Sequence, residues 1–181
     1  MSRILNFSGR LIDPFDLHPE DMKNAGLQAA VTLSRIQRFW GQLKVGYTVA
    51  QHTLSMVKTL EREGSDGELL RWAMGHEIFE ALGLGDIPTP IKRMLPEVKA
   101  AEERALALFA ECYGLTPPMP TRIKEVDRGL LVMEAEALMP SGYDWREAYG
   151  EPVGELYKLG ASEEEIQSDF LRKWQELFGR I

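Results

Sequence analysis

Four titratable positions fall where a folded chain would have to bury them: His52, the adjacent pair His76-Glu77, and Asp127. The chain holds 3 histidines, and two of them, His52 and His76, lie on the apolar stripes of predicted helices. A buried imidazole without a partner costs free energy, so each must meet one. Asp127 interrupts a third such stripe. Two imidazoles and two carboxylates converging from separate helices make a divalent-metal site. That donor set suits Mn, Fe, Co, Ni or Zn, and the lack of a thiol disfavours a structural zinc. Four protein donors leave a five- or six-coordinate ion room for water, acidified towards a pKa of roughly 7. Phosphate esters and anhydrides are natural targets, because the ion also neutralises phosphoryl charge. The pattern by itself leaves a blander reading open, in which the histidines are hydrogen-bonded core residues and the acids are caps or ion-pair partners.

The elements that must bring these residues together read as helices. Residues 21–36 carry Ala25, Leu27, Ala30, Val31 and Ile36 as apolar positions. Thr48 can cap a helix to Glu63, with Val49, His52, Thr53, Met56, Val57 and Leu60 on one side. A helix over 68–82 aligns Leu69, Trp72, Ala73, His76, Phe79 and Glu80, and Gly83, Gly85, Pro88 and Pro90 break it. Pro96 opens the next, to Tyr113, with Val98, Ala101, Ala105, Leu108, Phe109 and Cys112 as its apolar positions. Residues 121–139 align Ile123, Asp127, Leu130, Glu134, Ala137 and Leu138. The last helix, over 162–178, starts at a capping-box pattern, Ser162 with Glu165, and buries Ile166, Phe170, Trp174 and Leu177. Residues 1–20 and Arg38–Gly46 read as irregular, and no segment shows sustained two-residue alternation. The expectation is an all-α, single-domain bundle of about six main helices.

At 181 residues the chain suits one domain with a sizeable core. Its 21 Lys+Arg against 28 Asp+Glu give a net charge of −7. That balance argues against a duplex nucleic-acid partner, which demands a basic face. It leaves room for a small anion held by a few local cations. Cys112 is the only cysteine, which excludes an internal disulfide, and its place on an apolar face points to core. No apolar run approaches the ~20 residues of a membrane span, and residues 1–14 lack a signal-peptide apolar segment. A cytoplasmic location is the expectation.

The stretch H-E-I-F-E-A-L-G-L-G-D-I-P-T-P-I-K, from His76 to Lys92, resembles the second motif of the HD-domain metal-dependent phosphohydrolases. The branch it resembles holds the bacterial 5′-deoxynucleotidases and the small phage-type deoxynucleotide (tri)phosphohydrolases. Three further segments fit that branch in order and spacing: L-S-R-I-Q-R-F-W-G, then Y-T-V-A-Q-H ending at His52, and I-K-E-V-D-R-G-L-L around Asp127. The resemblance spans residues 27–138 as an HD-like core, with the 162–178 helix packed on it.

By that resemblance His52, His76, Glu77 and Asp127 would ligate one divalent ion (Mn, Co, Fe, Ni or Zn). Glu80 would assist proton transfer beside the attacking water, and Asp86 would orient the water or the leaving group. Arg38 would bind the substrate phosphate. Lys92 and Lys124 match positions where triphosphate-binding relatives place basic residues, with a solvated helix face as the alternative. Phe39 and Trp40, with the Ile87-Pro88 pair, could sandwich a base or simply plug the core. The resemblance implies release of phosphate from a deoxynucleoside monophosphate. Two alternatives stand beside it: triphosphate release from a deoxynucleoside triphosphate, and a catalytically impaired domain that binds a nucleotide or a partner. It also implies a homo-oligomer, dimer or higher. Two departures are plain. The family's His-Asp pair is His76-Glu77 here, one methylene longer, and the loop to Asp86 has an extra residue around Gly83-Leu84-Gly85.

Overall fold

The computed structural model describes residues 3–140 and 142–179. A two-residue ladder comes first, β1 (Ile4–Leu5) antiparallel to β2 (Leu11–Ile12), with Ile4 opposite Ile12. The helices that follow are α1 (Ala25–Leu33), α2 (Val49–Arg62), α3 (Gly67–Gly75), α4 (Thr89–Lys92), α5 (Pro96–Tyr113), α6 (Thr121–Leu138), α7 (Trp145–Tyr149) and α8 (Glu163–Phe178). The architecture is all-α. The six expected helices appear as α1, α2, α3, α5, α6 and α8, joined by the short α4 and α7. Among the described residues no helix is long and apolar enough to cross a membrane.

Packing is organised around α2, against which α1, α3, α6 and α8 all lie. Every residue of α2 except Lys58, Glu61 and Arg62 is buried. Its polar side chains tolerate this because each has a partner. Thr53 donates to the Val49 carbonyl at 3.0 Å and Thr59 to that of Ser55 at 2.8 Å. Ser55 donates to the Glu155 carbonyl at 2.7 Å, and Gln51 to those of Tyr157 and Lys158. The helix starts at a capping box: the Gln51 amide donates to Thr48 Oγ1 at 3.3 Å, and the Thr48 amide to Gln51 Oε1 at 2.9 Å. This fixes the first turn, from which His52 projects.

Three sequence expectations are corrected. The helix expected over 21–36 is shorter, because Asn24 sits in the left-handed region (φ 63°) and separates α1 from a 3-10 turn at Pro19–Met22. The helix expected over 68–82 is broken. Its regular part ends at Gly75, His76 and Glu77 form a turn, and Glu80–Leu84 make a π turn redirected by Gly83 (φ 128°). π turns widen the helix locally and frequently mark functional sites. At Ser162 only the hydroxyl half of the capping box is made, with Glu165 N donating to Oγ at 3.2 Å. The Glu165 carboxylate accepts from Lys158 instead.

The core fills the space between these helices. Ile166, Phe170 and Trp174 of α8 are buried as expected, whereas Leu177 is half-buried at the edge. Phe109 and Tyr113 of α5 meet Trp174 and Phe178 of α8 in an aromatic cluster, with ring centroids 4.5–6.0 Å apart in the closest pairs. Cys112 is partly buried beside it. Gly75 lets the Phe109 ring lie directly on the end of α3, where an added Cβ would overlap the ring. The backbone just before His76 is therefore anchored to the core.

Candidate metal centre

His52 comes from the first turn of α2, His76 and Glu77 from the turn after α3, and Asp127 from α6. One ligand atom from each lies within 4.8 Å of all the others. His52 Nε2 is 3.1 Å from Asp127 Oδ1, 3.4 Å from His76 Nε2 and 3.8 Å from Glu77 Oε1. His76 Nε2 is 3.3 Å from Glu77 Oε1. An ion about 2.0–2.2 Å from each donor holds adjacent donors about 3 Å apart and opposite ones about 4 Å apart. These spacings fit within a shift of about half an ångström, with donor types suited to Mn, Fe, Co, Ni or Zn. The extra methylene of Glu77 does not keep it out of the cluster. The regular helix gives way to a turn at this pair before the π turn, and Oε1 lies 3.3 Å from His76 Nε2 and 3.8 Å from His52 Nε2.

Each imidazole is oriented from behind. His52 Nδ1 is 2.7 Å from Glu134 Oε1, and His76 Nδ1 is 2.6 Å from the Ala73 carbonyl. Carboxylate and carbonyl only accept, so both Nδ1 atoms carry hydrogen. In the neutral rings both Nε2 lone pairs then face each other and two carboxylates. Four acceptors turned on one another require a positive charge among them. Burial and the Arg38 guanidinium pull the His52 pKa down, and the Glu134 and Asp127 carboxylates outweigh both, raising it to about 9. A proton is thus what this arrangement recruits when no other cation is supplied. Glu77 is held well below the usual carboxylate range: burial pushes it up, and His76, His52 and Arg38 more than reverse that. Asp127 is lowered too: desolvation pushes it up, and the His52 hydrogen bond together with the His52 and Arg38 charges more than reverses that. Its side chain is 46% exposed, against 0% for His52, so it marks the open edge of the site.

Arg38 is buried beside the cluster. Its Nε and Nη2 reach Glu134 Oε2 at 3.2 and 3.1 Å, and Nη1 lies 3.9 Å from Glu77 Oε1. Its turn, Arg38–Gly41, puts Phe39 and Trp40 in the left-handed region (φ 53° and 52°), which non-glycine residues adopt only at a cost. Two bonds hold it there: Arg38 N donates to the Tyr47 carbonyl at 2.9 Å, and Trp40 Nε1 to that of Asp86 at 2.8 Å. Trp40 thus ties the arginine turn to the Asp86 loop while remaining 59% exposed as a residue. The Phe39 ring lies under the Arg38 guanidinium, 5.5 Å from its centroid, and meets Trp145 of α7 edge-on at 6.1 Å.

Glu80 is buried, one of its oxygens (Oε2) has no hydrogen-bond partner among the described residues, and the other lies 3.8 Å from Lys92 Nζ. Burial, then the Glu77 and Asp86 carboxylates, push its pKa well up. Asp86, partly buried, is raised by desolvation and Glu77, against Arg38, His52 and Lys92. Lys92 is engaged by Glu102 of α5 at 2.7 Å. Lys124 is exposed on α6, one turn before Asp127, and among the described residues no ion pair holds it. The structure therefore gathers His52, His76, Glu77, Asp127, Arg38, Glu80, Asp86 and Lys92 about one centre. Phe39 packs between the Arg38 guanidinium and Trp145 of α7, and Lys124 is left in solvent.

With this geometry in hand, one relative is informative. The chain is 34% identical over 160 residues to Uncharacterized protein YfdR of Escherichia coli (strain K12), which takes in 88% of this chain and 85% of that protein. The chain belongs to the YfdR family. No protein-family model matches it. The likeness to YfdR extends over nearly the whole of both chains. Sequence reasoning assigned no role to Glu134, whose carboxylate backs both His52 and Arg38. Its signal was a second acid on the apolar stripe of α6, seven residues after Asp127 and so on the same face.

Proposed function

We propose that the protein is a divalent-metal-dependent hydrolase of nucleotide phosphates, of the HD-domain phosphohydrolase kind, releasing phosphate from deoxynucleoside monophosphates. One observation carries the reading: His52, His76, Glu77 and Asp127 turn four acceptor atoms on one another beside a buried arginine. When bound, a divalent ion supplies a water acidified towards neutral pH and offsets charge on a phosphoryl oxygen. Arg38 has an Nη1 group facing the cluster and can donate to a phosphate there, with the charge-assisted strength such bonds have. Hydrolysis of a phosphate ester takes one proton from the attacking water and delivers one to the departing oxygen. Glu80 and Asp86 suit that traffic, since burial and neighbouring carboxylates raise both above the ordinary carboxyl range and so favour the proton-holding form.

The monophosphate is favoured over the triphosphate by the cations. A triphosphate needs further positive charge beyond Arg38, whereas Lys92 is engaged by Glu102 and Glu80 and Lys124 faces solvent. The test is an assay of chelator-stripped protein with Mn, Co, Zn or Mg restored singly, against deoxynucleoside mono- and triphosphates. Inorganic phosphate and triphosphate are read separately. Metal-dependent phosphate from monophosphates is expected. Triphosphate as the product would replace this reaction by the triphosphohydrolase one. Silence with every metal, while metal binding persists, would leave a nucleotide- or partner-binding domain that does not hydrolyse.

A further inference from the structure

Glu134 stands apart from other acids in the molecule: its side chain is 0% exposed, and its two oxygens serve two different functional groups. Oε1 faces His52 Nδ1 at 2.7 Å, while Oε2 accepts from Arg38 Nε and forms an ion pair with Nη2 at 3.1 Å. We propose that Glu134 is the positioning residue of the centre, one carboxylate that aims both the metal-facing nitrogen of His52 and the anion-facing edge of Arg38. This rests on the reading of His52 as a metal ligand.

The geometry gives each oxygen a separate task. Oε1 can only accept, so it keeps the hydrogen of His52 on Nδ1 and presents Nε2 to Asp127, His76 and Glu77. A carboxylate behind a ligating imidazole also makes that ligand more basic, and removing such a partner weakens metal binding. Oε2 holds the Nε–Nη2 edge of the Arg38 fork by one hydrogen bond and one ion-pair contact, and Nη1 lies on the Glu77 side of the cluster. A buried guanidinium free to rotate would present no fixed donor to a phosphate. One residue on α6 therefore joins α2, which supplies His52, to the turn that supplies Arg38. Asp127, seven residues earlier on α6, faces the same centre. His76 has no such carboxylate, since the Ala73 carbonyl holds its Nδ1. The two imidazoles are thus supported unequally, and loss of Glu134 acts through His52.

The experiment measures Mn2+ affinity of the chelator-stripped full chain by calorimetric titration, with no nucleotide present. The Glu134→Gln variant keeps the shape and removes the charge, and about a 10–100-fold weaker affinity is expected. A paired variant guards against loss of folding. Arg38→Met with Glu134→Met removes the buried ion pair as a unit, which is often neutral for stability, while still depriving His52 of its partner. It too is expected to bind about 10–100-fold more weakly, whereas Arg38→Met alone binds at least as tightly as the unmodified chain. In the zinc-loaded unmodified chain, 15N-edited NMR is expected to find the His52 proton on Nδ1. Unchanged affinity in both folded Glu134 variants, or a zinc-loaded His52 with its proton on Nε2, overturns the assignment. An unmodified chain that binds no Mn2+ overturns it together with the metal centre. A chain that binds Mn2+ in the expected order but hydrolyses no nucleotide retains Glu134 as the positioning residue and loses only the proposed reaction.

Discussion

Each histidine of the centre reaches it with its ring already oriented, His52 by Glu134 and His76 by the Ala73 carbonyl, so the donors are arranged before any ion arrives. That order has a pH consequence for the metal-free protein. A histidine raised from 6.5 to about 9 on folding contributes stability that is fully present below 6.5 and lost as pH rises through 9. The gap corresponds to roughly 3 kcal/mol, so thermal melts of the chelated protein should fall between pH 6.5 and 9, and an ion added there should flatten the decline. A melting temperature that climbs across this window in the chelated protein would contradict the electrostatics given for His52. Glu80 gives a second expectation. Glu80→Gln should lower kcat by about 10²–10⁴-fold, as loss of general acid-base help does, while Mn2+ affinity stays within about threefold. Much of this was legible in the sequence, because a titratable side chain on an apolar stripe is anomalous, and four such residues stood out. Glu134 lay on such a stripe as well, but its partners are 82 and 96 residues away in the chain. The Lys92–Glu102 pair was hidden for a similar reason, since it joins α4 to α5 through their packing.

Among the elements, the long helices declared themselves through their 3.6-residue periodicity, and α2 and α8 also through Thr48 and Ser162 at their caps. The break at His76-Glu77 did not, since the apolar pattern runs on through Phe79 and Leu82 as if the helix were continuous. Only the structure shows the close approach of Phe109 to Gly75, the last residue of the regular helix. The five residues of α7 and the paired residues of β1 and β2 are too short for either periodicity to register. Gly75 therefore ties core packing to the centre. Gly75→Ala should destabilise the protein by about 1–3 kcal/mol, as overpacking does, and weaken metal binding in the fraction that folds, because His76 follows directly. Denaturant unfolding and Mn2+ titration check both parts. Wild-type stability with wild-type affinity would mean that the Phe109 ring does not constrain this turn.

Over the whole molecule, a net charge of −7 and a buried centre rich in carboxylates favour a cation there and leave a small anion dependent on local groups such as Arg38. An ion that binds only the folded chain stabilises it by about 2.7 kcal/mol at a hundredfold excess over Kd. For a domain of this size that is a rise in Tm of roughly 5–10 °C, reversed by chelator and absent in His76→Ala. The most direct test of the account joins occupancy to chemistry. Chelator-stripped protein is titrated with Mn2+, and bound ion and phosphate release from a deoxynucleoside monophosphate are measured in the same samples. The account predicts one ion per chain, with the rate of phosphate release rising in proportion to occupancy. Saturation of the site without release, or release that does not follow occupancy, would contradict it.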